Sequence, residues 1–338
     1  MLNSLELNFQ GSIAPGFGLL ALVLTVLATA LYLPLARRLR FFDAPNHRSA
    51  HAIVTPSSGG LAIVASIAAS LQVASIFGYA LLDGAGRAML PLLIGICTLG
   101  AWDDRRPLPV YLRLLAFFCL ASVAVIAYLA AGPSPSWLWP LPILGLAWLF
   151  NLYNFMDGID GLAALQTVLV AGGMLALGLM TGASQDFLTV CAIVAGAYGG
   201  FLAFNWPPAK LFMGDAGSLS AGLLLGWLGL WTWRDAVFSP VVWLLLMSPF
   251  LLDTGVTLLS RALNRERLTQ AHNGHCYQRL ARHWGSHRRV DYALLLLHGF
   301  WLLPLAALTQ LSTLPEWTLL AVGLFPQLFL MANLRRLQ

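Results

Sequence analysis

Charge is scarce in this 338-residue chain: Asp, Glu, Lys and Arg make up 10% of it, while 59% is hydrophobic and mean hydropathy is +0.76. Soluble domains carry about 25% charged residues, so a water-facing fold is excluded, and with it secreted scaffolds, nucleic-acid binders and coiled coils. Cysteine is also scarce. Cys97, Cys119 and Cys191 lie in apolar runs and Cys276 in a basic loop, which leaves neither a disulfide framework nor a CxxC metal site. The opening segment MLNSLELNFQGSIAPG lacks the basic start and small-residue cleavage site of a removable signal, so the first apolar run is expected to stay as a helix. Repeats, low-complexity tracts and linkers are lacking too, and residues 1–338 read as a single domain.

What is present is a series of long apolar runs. A span needs roughly 20 residues to cross about 30 Å of hydrocarbon, and runs of that kind predict an all-α polytopic membrane protein. The expected helices are 13–36, 57–80, 88–102, 110–131, 137–153, 160–182, 187–204, 218–233, 236–259, 290–311 and 316–334, eleven in all. With the N-terminus outside, sixteen basic residues fall in cytoplasmic loops and only Arg87 and Arg234 outside, Arg113 lying just within the fourth span. This is the positive-inside bias, and it accounts for the net charge of +5 without an anionic partner. It puts the C-terminus in the cytoplasm.

The same alternation concentrates function on one face. The outer loops are short turns, whereas the inner loops hold nearly all acids, amides and histidines. Asp103 and Asp104, Asp157 and Asp160, and Asp215 all stand where an apolar run meets the cytoplasm. Carboxylates kept there at a cost of about 2.5–3.5 kcal/mol each in a span centre call for a use. Convergent carboxylates suit Mg²⁺, which is shared between one or two acids and substrate phosphates. Asp215, in a glycine-rich loop with Met213 and Gly214, is the strongest ligand candidate. In DGIDG the two acids, Asp157 and Asp160, would share a face of a helical turn, one of them binding metal while the other caps the turn or contacts a ligand. His272, His275 and Arg279 form a basic loop suited to phosphate oxygens, and Arg48, His51 and Arg105 add further cationic groups. Phe212 beside Lys210 offers a flat surface for a nucleobase. Asp253 is an exception inside an apolar run, PFLLDTGVTLL, and is expected to reach the cytoplasmic end of the cleft.

Five segments in order, DAPNHRSAHAIVTPSSGG, LGAWDDRRPL, NLYNFMDGIDGLAA, NWPPAKLFMGDAGSLSAG and HNGHCYQRL, resemble the polyprenyl-phosphate N-acetylhexosamine-1-phosphate transferases over residues 40–285. The resemblance is nearest the branch that initiates O-antigen. It implies transfer of a sugar-1-phosphate from a UDP-N-acetyl amino sugar to undecaprenyl phosphate with release of UMP, in the bacterial inner membrane. Mg²⁺ is the implied cofactor, with Mn²⁺ as a substitute. The implied partners are these two substrates and membrane lipid, with no nucleic acid, and a homodimer is compatible with them. The resemblance makes Asp215 the metal ligand, Asp103 and Asp104 the acidic pair near the lipid phosphate, and Asp157 and Asp160 part of the nucleotide side. It makes Phe212 the uracil stack, Asn154 and Asn205 cleft amides, and His272 and His275 phosphate contacts. Two features depart from the family: Arg105 and Arg106 follow the acidic pair where a lysine is common, and the histidine loop reads HxxH. A multipass transporter of anionic solutes is the alternative class, although no repeated halves support it.

Overall fold

A computed structural model describes residues 12–43, 54–79, 81, 84–130, 135–267 and 272–336. The chain is almost entirely helical: α1 (Ala14–Arg38), α2 (Gly60–Ile76), α3 (Met89–Arg105), α4 (Val110–Leu129), α5 (Pro140–Met156), α6 (Leu162–Thr181), α7 (Gln185–Asn205), α8 (Gly214–Asp235), α9 (Pro240–Leu263), α10 (Cys276–Trp284), α11 (His287–Leu297), α12 (Leu303–Leu311) and α13 (Glu316–Arg336). Helices α11 and α12 are joined through a π-helical turn, His298–Leu302. Every predicted apolar run corresponds to one of these helices, or for 290–311 to the α11–α12 unit, because in hydrocarbon a segment must satisfy its own backbone groups.

Among the described residues, seven helices are long and apolar enough to cross a membrane: α1, α4, α6, α7, α9, the α11–α12 unit and α13. This is a multi-pass membrane protein. The other four runs expected to span are different in kind. Helices α2, α3 and α5 have 17 residues each, about 25 Å at ~1.5 Å per residue. Helix α8 has 22 residues but is diluted by Gly, Ser, Arg234 and Asp235.

Helix α8 is the centre of the fold. Nearly all its residues from Ala216 to Leu230 are buried, as expected of a helix enclosed by others. Helices α2, α3, α5 and α6 pack around it. Gly60 of α2 and Gly100 of α3 let those helices meet the first turn of α8 backbone to backbone, as small residues do in membrane bundles. Farther along, Trp227 lies edge-on to Tyr128 with ring centres 4.8 Å apart.

Two expectations change here. The basic stretch after α9, read as a loop, contains α10, whose Tyr277, Leu280 and Ala281 are buried while charged residues face outward. A nine-residue amphipathic helix leaves no long apolar run and escapes a search for spans. In addition, α8 starts at Gly214, four residues before the predicted span, so Asp215 belongs to a helical first turn. Two short strands, Phe42–Asp43 and Thr55–Pro56, pair antiparallel beside this end of the bundle.

Candidate active site

A cavity of about 700 Å³ opens where the ends of α1, α3, α5 and α7 and the starts of α8, α10 and α11 converge. Its wall begins with Asp104 at the end of α3. One carboxylate oxygen accepts the Ser58 hydroxyl at 2.9 Å and the other accepts the Asp215 backbone N–H at 2.9 Å. Asp104 thereby caps α8 from another helix, the negative group sitting at the positive end of the helix dipole. Asp103 does not line the cavity. It is 7% exposed, accepts the Leu108 N–H at 2.6 Å and pairs with Arg113 at 3.1 Å. Neighbouring residues of a helix point about 100° apart, so the last turn of α3 turns one acid of the pair to the cleft and the other behind it.

Asp215 faces the cavity with one oxygen held by the Asn154 amide at 2.5 Å. The segment that delivers it is stitched to the TPSSGG turn: Phe212 N–H donates to Pro56 O, Gly59 N–H to Phe212 O and Gly60 N–H to Met213 O, at 2.8–2.9 Å. Phe212 lines the cavity, whereas Met213 is fully buried beneath it. Gly214 has φ +67°, a backbone that suits glycine at this turn. Lys210 is exposed and outside the lining.

DGIDG is not the helical turn expected. Asp157 ends α5 and the next four residues form a bend before α6. Asp157 and Asp160 still both reach the cavity. Asp160 accepts the Ala209 N–H at 3.0 Å, and His287 Nδ1 lies 3.5 Å from its other oxygen. Asn205, 3% exposed, receives the Gly161 N–H and donates to Leu211 O, both at 3.0 Å, so its amide clamps two turns together. Burial raises the Asp157 carboxyl above the ordinary carboxylate range, and facing Asp215, Asp104, Asp160 and Asp43 raises it further.

The histidine loop goes elsewhere. His275 is 2% exposed with Nδ1 3.2 Å from Asp253, and His272 stacks on it with ring centres 4.7 Å apart. Burial, then the neighbouring His275 and Arg261, push His272 down to about 4, so it is neutral near pH 7. Arg279 donates to Gly274 O at 2.9 Å. None of these three lines the cavity, and neither does Asp253. Arg105 does, with its guanidinium 3.8 Å from the centre of the Phe41 ring. Arg48 and His51 lie outside the described residues. The cavity also enlists Ser58, Gln278 and His287, which were not singled out in the sequence. Gln278 stands within the HNGHCYQRL segment, but only the rotation of α10 turns it to the cavity. His287 carried no local signal.

Among the described residues, no three Asp, Glu, His or Cys side chains are close enough to hold a metal ion unaided. The acidic wall nevertheless fits a hard cation: burial and then the facing carboxylates raise Asp157, and Asp215, Asp157 and Asp104 face a cavity large enough for a nucleotide diphosphate. A cation such as Mg²⁺, taking waters and substrate oxygens beside one or two carboxylates, matches that donor set.

The sequence model of glycosyl transferase family 4 matches residues 87–232. Over 329 residues the chain is 30% identical to a decaprenyl-phosphate N-acetylglucosaminephosphotransferase of Mycobacterium leprae, covering 83% of this chain and 80% of the relative. It is 27% identical over 301 residues to a probable undecaprenyl-phosphate N-acetylglucosaminyl 1-phosphate transferase of Bacillus subtilis, covering 83% and 81%. A phospho-N-acetylmuramoyl-pentapeptide-transferase of Geobacillus thermodenitrificans shares 31% identity over 228 residues, 59% of this chain and 69% of the relative.

Proposed function

The chain belongs to glycosyl transferase family 4, and from that premise we propose that it moves an N-acetylhexosamine-1-phosphate from a UDP-linked amino sugar to undecaprenyl phosphate. The reaction releases UMP at the cytoplasmic face of a bacterial inner membrane and initiates a cell-envelope polysaccharide such as O-antigen. The observation that carries this reading is the acid-lined cavity at the helix ends, where Asp104, Asp157 and Asp215 share a space with the aromatic face of Phe212. Such a site suits a water-soluble diphosphate meeting a phosphate that rides on a lipid.

Phosphoryl transfer depends on positioning and charge more than on covalent protein chemistry. An oxygen of the lipid phosphate attacks the β-phosphorus of the UDP-sugar as the bond to the α-phosphate oxygen breaks, and UMP leaves. Asp104 orients the lipid phosphate and takes its proton, a role that passes from the expected Asp103 to the acid that lines the cavity. Ser58 and the Asp215 N–H keep the Asp104 carboxylate in place. Asn154 fixes Asp215, and Asn205 sets the distance between the DGIDG and Phe212 turns. Mg²⁺ held by Asp215 and Asp157, or Mn²⁺ in its stead, would neutralise the diphosphate and stabilise the departing UMP. Arg105 supplies positive charge at the rim.

Purified protein with Mg²⁺, undecaprenyl phosphate and a panel of UDP-amino sugars is expected to release UMP with at least one sugar. Silence across the panel, with Mn²⁺ also tried and acceptor verified, overturns the reading. Phe212→Ala is expected to raise KM for the nucleotide sugar about tenfold or more, since stacking on a base contributes about 1–3 kcal/mol, while kcat changes little. Steady-state kinetics checks this, and an unchanged KM removes Phe212 from the nucleotide site.

A further inference from the structure

Asp253 is 3% exposed in the middle of α9 and contributes nothing to the cavity wall. A carboxylate in an apolar helix needs partners, and this one has four. Oδ1 accepts the Cys276 N–H at 2.8 Å and Oδ2 the Tyr277 N–H at 2.9 Å, while the Thr257 hydroxyl and His275 Nδ1 lie 3.2 Å from Oδ1. Cys276 and Tyr277 are the first two residues of α10, so Asp253 supplies from α9 the anion that the start of this helix favours.

Helix α10 in turn touches the catalytic turn. Tyr277 donates its hydroxyl to the carbonyl of Phe155 at 2.9 Å, in the last turn of α5. Gly158 packs on the same side chain, and a Cβ there would stand 2.1 Å from the Tyr277 oxygen and 3.3 Å from Gln278 Nε2. Asp157 lies between these two contacts in the chain. Contacts on both sides of it, at Phe155 and Gly158, come from α10, and the start of α10 is held by Asp253.

We propose that Asp253 is a positioning residue, fixing the start of α10 so that Tyr277 holds the 155–158 segment and Asp157 keeps its place in the cavity. Two convergent N–H groups require two acceptor oxygens. Asparagine offers one and directs an NH₂ group at the other donor, so Asp253→Asn shifts α10 without adding bulk. The catalytic readout rests on the transferase reading; the structural readout does not.

The experiment is a double-mutant cycle of Asp253→Asn and Tyr277→Phe, read by UMP release and by hydrogen exchange of residues 155–161. A displacement of about 1 Å at a catalytic group costs about 100-fold, which is the fall in kcat expected for Asp253→Asn, with KM for the UDP-sugar nearly unchanged. Tyr277→Phe leaves the cap intact and removes one hydrogen bond worth about 1 kcal/mol, so kcat falls about fivefold to tenfold. Because both act along one line, the double variant is expected to be no slower than Asp253→Asn alone. Both variants are expected to speed exchange in 155–161. Multiplying effects on kcat, or unchanged exchange in Asp253→Asn, overturns the proposal. Wild-type protein with no turnover would count against the transferase reading, and exchange would still decide the role of Asp253.

Discussion

Asp215→Asn is expected to cut UMP release about 10³-fold, the scale on which a preorganised electrostatic group acts, while leaving the protein folded and more stable in the absence of divalent cation. Asparagine keeps the size of the side chain and an oxygen for the Asn154 amide, whose bond to Asp215 is 2.5 Å long. It removes one of the negative charges facing Asp157. That crowding, added to burial, raises the Asp157 carboxyl. The sign follows from linkage. A carboxyl raised in the folded state binds protons more readily there than in the unfolded chain, so stability falls as pH rises from the unfolded value, about 3.9, through the folded one. Wild-type protein in EDTA should therefore melt lower at pH 8 than at pH 5. In Asp215→Asn that difference should shrink, and Mg²⁺ should raise the melting temperature of the wild type more than that of the variant. Turnover within tenfold of wild type would remove Asp215 from the site of charge neutralisation.

Gly100→Ala is expected to lower turnover about 100-fold with a change in stability of no more than about 1–2 kcal/mol. A Cβ at residue 100 would stand 2.5 Å from Ala216 N and from the carbonyl carbon and oxygen of Asp215, all backbone atoms that have no rotamer to escape into. Overpacking of this kind costs about 1–3 kcal/mol, and the gain in helix propensity offsets about 1 kcal/mol of it. The net effect on folding is therefore about 0–2 kcal/mol, because one partly offsets the other. Their effects on the site do not cancel. Helix α3 must retreat from the first turn of α8, and Asp104, four residues farther on, loses its hold on the Asp215 N–H. At ~1 Å of displacement the cost in rate is about 100-fold. Gly95 on the same helix is the control: its Cβ would meet only Leu120 at 3.7 Å, and Gly95→Ala should retain wild-type turnover. Equal turnover in Gly100→Ala and Gly95→Ala, measured beside thermal unfolding, would show that the α3–α8 contact does not set the site.

Much of the site could be read from the chain because its carboxylates stand where apolar runs stop. Asp104, Asp157, Asp160 and Asp215 were marked by that boundary, and all four line one cavity. Phe212, Asn154 and Asn205 were marked by their motifs, and they too are on its wall. The residues that the structure places off the wall, or adds to it, share a different cause. Asp103 and Asp104 are adjacent in WDD, and nothing local distinguishes them; Arg113, ten residues away on α4, draws one aside. His275 reads as a phosphate ligand until Asp253, 22 residues earlier, is found against its ring. His287 reaches Asp160 across 127 positions of sequence.

The sequence by itself determined that this protein lives in a membrane, which apolar segments become helices, and that its acids collect where those segments stop. Those properties follow from local transfer energies and from hydrogen bonds closed within each segment. Only the tertiary structure decided which acids see the cavity, that α10 exists as a bridge between Asp253 and the DGIDG turn, and that α8 is enclosed. Each of these depends on the rotation of a helix about its axis, and that rotation is set by neighbours distant in the chain.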